Sequence, residues 1–222
     1  MIEDIKAVIF DMDGLLLDTE KLLVKFWITA ANEMGFPMTR EQALELRSLH
    51  RSFAIPYLKA QFGEDFDYLK VRNRRMELMS DWLEHNPLEI KDGAEQLLDY
   101  LNSNEIKAAV CTATDTERAK SYLSQVGLYE KFDTIMSATM VEKGKPCPDI
   151  YLYAVECLKM KPFECMALED SPNGVRSAAG AGCLTVMIPD LTQPDNELSD
   201  MIYAKADSLN DVIGLFEYFG RR

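Results

Sequence analysis

From Lys107 onward the chain alternates short apolar strands with single helices, and that rhythm constrains its fold more than any other feature. The pattern predicts strands over residues 107–111, 134–137, 165–168 and 184–188, each bounded by turn formers. Between them lie predicted helices. One opens at Asp92-Gly93 and runs to Asn102; another opens with Thr114 and Glu117 as a capping box and ends at Gly127. A third covers 149–158 with Asp149 as its N-cap, and a fourth follows Ser171-Pro172, an N-cap and a first-turn proline. Strands joined by single helices cannot pair as hairpins. They cross over and run parallel, which puts helices on both faces of one sheet.

A further strand, Ala7-Val8-Ile9-Phe10, precedes a stretch that breaks the rhythm. Residues from about Thr19 to Glu84 read as helices only, over 21–34, 40–47, 53–62 and 68–84, and Asn86-Pro87 stops the last. The expected organisation is therefore a core from residues 1–15 and 88–222, with residues 16–87 inserted as a helical cap. Ligands of such sheets bind at the carboxyl ends of the strands, so an insertion there lies over the site as a lid.

Polar chemistry gathers at those strand ends. The first strand delivers Asp11 and Asp13, two apart and so expected on one face, and Gly14 lets the chain turn. A calcium loop fits poorly, because Leu15 and Leu22 stand where oxygen ligands are needed. Thr112 follows the second strand, where a hydroxyl beside exposed backbone N–H groups suits a phosphate oxygen. Lys145 sits in a loop stiffened by Gly144 and two prolines, so it is a placed charge. Glu169 and Asp170 end the strand at 165–168. Adjacent buried acids repel, so a divalent cation is their natural partner, and an all-oxygen set favours magnesium.

The net charge of -13 excludes general nucleic-acid binding and would repel an anionic substrate unless local cations intervene. Lys143, Lys145 and the run from Lys70 to Arg75 are the available cations. No segment is long and apolar enough to span a membrane, and the five scattered cysteines suit unpaired buried thiols in a reducing cytoplasm.

This ordered set resembles the haloacid dehalogenase superfamily, in its group of phosphatases and phosphomutases similar to beta-phosphoglucomutase. The matching stretches are VIFDMDGLLLDTE at 8–20, VCTAT at 110–114, KGKPCPDIY at 143–151 and MALEDSPNGVRSAAGAG at 166–182. The resemblance implies an α/β, Rossmann-like parallel sheet core with an inserted all-helical cap. It casts Asp11 as the nucleophile that forms an aspartyl-phosphate and Asp13 as general acid, then base. Thr112 and Lys145 would bind the transferring phosphoryl group. Mg²⁺ would sit on Asp11, the backbone oxygen of Asp13 and Asp170, with Glu169 a further ligand.

In the cap region the resemblance assigns substrate contacts to Arg51, an aligned phosphate-binding arginine, and to Arg72, with His50 beside them, and in the core to Ala113. Leu23 replaces a histidine that couples cap closure to acid–base chemistry in beta-phosphoglucomutase, and Ser48 replaces a glycine of the cap loop. Those departures favour hydrolysis over isomerisation. The expected protein is a cytoplasmic, monomeric, Mg²⁺-dependent phosphatase of a small sugar or polyol phosphate, with no nucleic-acid or membrane partner. A phosphomutase, or a non-catalytic binding protein of the same fold, is the alternative.

Overall fold

The computed structural model describes residues 2–219 of the 222-residue chain. Its six strands are β1 (Ala7–Phe10), β2 (Lys107–Thr112), β3 (Thr134–Ser137), β4 (Cys165–Glu169), β5 (Leu184–Met187) and β6 (Ala204–Lys205). They form one sheet in the order β3-β2-β1-β4-β5-β6, and every pair is parallel. The chain winds outward from β1 to β3, then returns to the other side of β1 for β4 to β6. The reversal lies between β1 and β4, and it opens a crevice at the carboxyl ends of those two strands.

Alternation along the strands builds two core layers. Val8 and Phe10 of β1 pack with Val110, Met166 and Leu168 on one face, under α5 (Ala94–Ser103) and α10 (Leu209–Phe219). Ala7 and Ile9 pack on the other face with Cys111, Ala167 and Ile150 of α7 (Asp149–Leu158). All four residues of β1 are fully buried, as a central parallel strand requires.

The helical block comprises α1 (Glu20–Glu33), α2 (Arg40–Leu44), α3 (Arg51–Phe62) and α4 (Tyr68–Leu83), and it has its own apolar cluster around Val24, Trp27, Leu58, Phe66 and Val71. The two segments joining it to the sheet pair with each other: Asp18 N–H donates to Glu89 O at 2.9 Å and Lys91 N–H to Leu16 O at 2.9 Å. The block also docks on the sheet edge, where His50 N–H donates to Lys145 O at 2.9 Å and Asn173 Nδ2 to Arg47 O at 2.9 Å.

Four local expectations change. The second cap helix stops at Leu44 rather than Arg47, and Arg47 leaves the helix to become a fully buried charge. Asp115, not Thr114, caps α6 (Thr116–Gln125), accepting from Arg118 N–H, so Thr114 and Glu117 form no capping box. Its side chain competes better because it sits one residue before the first helical turn. Pro148 precedes α7 as its N-cap residue, and Asp149 is instead inside the first turn, where its charge still favours the helix dipole. Among the cysteines, all free, Cys157 is exposed and Cys147 only half-buried rather than buried. The strands otherwise begin where expected and end within a residue; β6, α9 (Asn196–Met201) and α10 had no reading from the sequence.

Candidate active site

β1 ends at Phe10, so Asp11 and Asp13 lie in the turn beyond it and strand parity does not place them. The turn does. Leu16 and Leu17 N–H both donate to Met12 O at 3.0 Å, Gly14 N–H donates to Leu17 O at 2.8 Å, and Gly14 takes φ +92°. A Cβ at Gly14 would stand 2.5 Å from Asp170 Oδ2, so the glycine also lets the β1 and β4 ends approach. Asp11 N–H donates to Leu168 O at 3.0 Å, which sets Asp11 beside the Glu169-Asp170 end of β4.

Asp11, Lys145, Glu169 and Asp170 are each at most 1 % exposed. Lys145 Nζ donates to Asp11 Oδ1 at 2.5 Å, Glu169 Oε1 at 2.6 Å and Cys111 O at 2.9 Å, which uses its three protons. Tyr151 hydroxyl donates to the same Glu169 oxygen at 2.5 Å. Burial alone would lower Lys145, but Asp11 and Glu169 outweigh it and hold the ammonium above its ordinary range. The lysine is therefore charged, and two carboxylates share it. Asp11 is pushed up to about 8, first by burial, with Lys145 opposing and Glu169 and Asp13 adding to the shift. Asp170 is driven well above the carboxylate range, first by burial and then by Asp11, Glu20 and Glu169.

Asp11 Oδ2, Glu169 Oε2 and both oxygens of Asp170 are buried without a hydrogen-bond partner. Ligand oxygens of Asp11, Glu169 and Asp170 all fall within 4.8 Å of one another. Buried carboxylate oxygens in this state cost several kcal/mol unless charge of opposite sign reaches them. Three carboxylates against the Lys145 ammonium and the Arg47 guanidinium, 3.5 Å from Asp170, still leave net negative charge on these orphaned oxygens. The residues thus fit a hard divalent ion with oxygen ligands.

Asp13 faces the other way, into a chamber of about 90 Å³ between cap and sheet that Leu23, Trp27 and Arg72 also line. Its Oδ1 accepts from Thr19 Oγ1 at 2.6 Å, and its Oδ2 from Thr114 Oγ1 at 2.8 Å and, more distantly, Thr112 Oγ1 at 3.4 Å. Of the residues expected to contact substrate, Arg72 of the cap and Ala113, just past β2, line this chamber and also an adjoining one of about 620 Å³. Arg51 and His50 line only the outer one, and the His50 ring mainly caps α3, accepting from Ser52 N–H.

The structure brings in residues that sequence reasoning passed over. Glu20 is buried and lines the inner chamber; burial, then Asp13, raises its carboxyl well above the usual range. Its place three, four and seven residues before Leu23, Val24 and Trp27 marks the buried face of α1, a signal that was available. Arg47 reaches Asp170 at 3.5 Å and bonds Thr192, and only tertiary structure shows it. Ser48, beside it, has φ 53°, the conformation a glycine would hold without strain. Gly174 carries a test of the site's rigidity, since a Cβ there would fall inside the Glu169 carboxylate. Gly174→Ala is expected to displace Glu169 from Lys145 and lower thermal stability by about 1–3 kcal/mol, read by calorimetry; an unchanged melting point would show that the carboxylate has room to move.

The family's sequence profile matches residues 8–188, and the chain belongs to the haloacid dehalogenase-like hydrolases. It is 30% identical over 216 residues to "Phosphorylated carbohydrates phosphatase" of Thermotoga maritima, covering 96% of this chain and 90% of that protein. It is 28% identical over 189 residues to beta-phosphoglucomutase of Bacillus subtilis, covering 82% of each. A crystal structure of CbbY from Rhodobacter sphaeroides in complex with phosphate superposes with TM-score 0.79 at 26% identity, covering 94% of this chain and 96% of that one. Within the family this chain stands with the beta-phosphoglucomutase-like group and is a phosphoric monoester hydrolase. Among the described residues no helix is long and apolar enough to cross a membrane.

Proposed function

We propose that this protein is a Mg²⁺-dependent phosphatase of a small phosphorylated metabolite, a sugar or polyol phosphate, and that it works through an aspartyl-phosphate on Asp11. The observation that carries this reading is the division of labour between the two aspartates. Asp11 keeps one oxygen unpartnered beside Lys145, whereas Asp13 turns into the cap chamber among hydroxyls. The phosphatase similar to this chain acts, by its name, on phosphorylated carbohydrates, which supports the substrate class.

In this mechanism an Asp11 carboxylate oxygen attacks phosphorus, the bond to the sugar oxygen breaks, and Asp13 gives that oxygen its proton. Asp13, now a carboxylate, takes a proton from the water that attacks the acyl-phosphate, releasing inorganic phosphate and restoring Asp11. Lys145 and Thr112 hold the phosphoryl oxygens. Two like charges 4 Å apart repel by about 4 kcal/mol at an effective dielectric of 20, so Lys145 is needed for the approach of anion to anion. Asp11, the Asp13 carbonyl and Asp170 would hold Mg²⁺, with Glu169 beside them, and the ion would supply further positive charge against the phosphoryl group. Residues 16–87 act as the cap that excludes bulk water.

Leu23 lines the chamber beside Asp13 and cannot hydrogen-bond to it, so cap closure is not coupled to the acid–base group and water reaches the intermediate. With beta-glucose 1-phosphate and a trace of glucose 1,6-bisphosphate, any reaction is therefore expected to release inorganic phosphate. Rapid formation of glucose 6-phosphate with little free phosphate would overturn the hydrolytic reading. Chelation is expected to abolish turnover of phosphorylated sugars, Mg²⁺ to restore it, and Asp170→Ala to raise the metal concentration needed by about 10–100-fold; full activity in excess chelator would sink the metal assignment.

A further inference from the structure

Arg47 is a charge of the cap that lies buried at the end of β4. It follows α2, and its side chain is 1 % exposed beside an Asp170 side chain at 0 %. Its Nε donates to Leu44 O at 3.4 Å, its Nη2 donates to Thr192 Oγ1 in the loop after β5, and its Nη1 stands 3.5 Å from Asp170 Oδ2. The loop that carries it is tied to the core twice more. Asn173 Nδ2 donates to Arg47 O at 2.9 Å, and His50 N–H donates to Lys145 O at 2.9 Å. One cap loop therefore grips the core segments that carry Lys145 and Asp170.

The pair with Asp170 is charge without a hydrogen bond. Arg47 Nη1 has no hydrogen-bond partner, and neither oxygen of Asp170 has one. A bidentate fork would fix the carboxylate by geometry as well as by charge, and this contact does not. Lys145 has committed its protons to Asp11, Glu169 and Cys111, so among the described residues Arg47 is the cation paired with Asp170. The other charged groups around Asp170 are acids. Glu20 meets it across Gly14, and oxygens of Asp11 and Glu169 lie within 4.8 Å. Arg47 thus compensates Asp170 in the metal-free protein and leaves both of its oxygens open.

A divalent cation on those oxygens would share the carboxylate with a guanidinium, in a buried place where like charges repel far more than in water. We propose that Arg47 is a positioning residue acting through Asp170: it takes the cation's place in the metal-free protein and ties the cap loop down, so that metal occupancy and docking of that loop weaken each other. The coupling is reciprocal. The factor by which the docked loop weakens metal binding is the factor by which metal weakens docking. Arg47, Ser48 and Leu49 line the chamber that Asp13 faces, so loading the metal loosens one wall of that chamber before substrate enters. The inference rests on the metal assignment in the phosphatase reading and adds an order of events to it.

Calorimetric titration of the full chain with Mg²⁺ tests the sign of this coupling. Arg47→Gln removes the competing charge and is expected to bind Mg²⁺ about tenfold tighter than the wild type or better, whereas Arg47→Lys stays within about threefold of it. A residue that merely orients Asp170 for the metal would give the opposite sign, with Arg47→Gln binding more weakly. Should Arg47→Gln fail to fold, Thr192→Val, which frees the guanidinium from its anchor, is expected to tighten Mg²⁺ binding by about threefold. Hydrogen exchange read by mass spectrometry over residues 45–50 supplies a second readout, through the His50 N–H that docks on Lys145 O. Mg²⁺ is expected to speed exchange there by about threefold or more in the wild type and to leave it unchanged in Arg47→Gln. Equal or weaker Mg²⁺ affinity in the variants, or wild-type exchange that Mg²⁺ slows or leaves alone, overturns the proposal and spares the phosphatase reading. No Mg²⁺ binding to any of these proteins, with phosphate release indifferent to chelator, removes the metal assignment and this proposal with it.

Discussion

Replacing Asp11 by Asn is expected to cut turnover by about four orders of magnitude or more, because the attacking oxygen loses its charge while the side chain keeps its shape. Lys145 can still donate to the amide oxygen in place of Asp11 Oδ1, so the loop should hold its form. Stability moves in the opposite direction from activity. In the metal-free protein Asp11 is raised from 3.8 to about 8. Between those values the folded protein binds a proton that the unfolded chain has released. Its contribution to stability is therefore present below about pH 4 and is lost as pH rises toward about pH 8. Asp11→Asn removes that loss, so in chelator at pH 8 the variant should melt above the wild type, and the gap should close as pH falls toward 4. Saturating Mg²⁺ should shrink the difference, since the wild type gains a cation on the carboxylate that the variant lacks. Phosphate release above a thousandth of the wild-type rate, measured on variant protein that mass spectrometry shows to contain no aspartate regenerated by deamidation, would remove Asp11 from the role of nucleophile.

Lys145→Met is expected to produce the largest loss of stability of any single change at the site. The ammonium is fully buried and is the shared partner of Asp11 and Glu169, at 2.5 and 2.6 Å. Removing one member of a buried ion pair costs about 3–5 kcal/mol, because the remaining charges stay buried without compensation. For a chain of this size that corresponds to a fall in Tm of about 10 °C or more. The variant also exposes the electrostatic logic of the site. With the ammonium gone, the carboxylates have only a bound cation to offset them, so the rise in Tm on adding Mg²⁺ should be larger in Lys145→Met than in the wild type. Activity should fall with it, as the phosphoryl oxygens lose their placed charge. A variant that melts within about 2 °C of the wild type in chelator at pH 9, above the Asp11 value of about 8, would mean that the lysine is not what holds the acids together.

Much of this site was legible along the chain because its residues follow directly from strand ends. Asp11, Asp13, Thr112, Glu169 and Asp170 each sit at or just past the end of a buried apolar run, and parallel strands deliver their carboxyl ends to one edge. Lys145 was legible for a different reason: glycine and proline around it stiffen a loop, and a stiff loop can hold a buried lysine. These are local signals, carried by hydrophobic periodicity and turn chemistry over a few residues.

What the sequence left open depends on contacts between distant segments. Thr114 looked like a helix cap, yet its hydroxyl binds Asp13, 101 residues away, because β1 and β2 are adjacent in the sheet. The basic run on α4 looked uniform, and only the docking of cap on core shows that Arg74 meets solvent-side acids while Arg72 and Arg75 face the chamber. Arg47 carries no periodic mark, since α2 ends before it, and its burial against Asp170 follows from the path of the cap loop alone. Sequence by itself determined the sheet, the inserted helical block and the acids at the strand ends, because short-range patterning encodes each of them. Tertiary structure decided which charges are left unpaired, because compensation is a property of groups brought together in space.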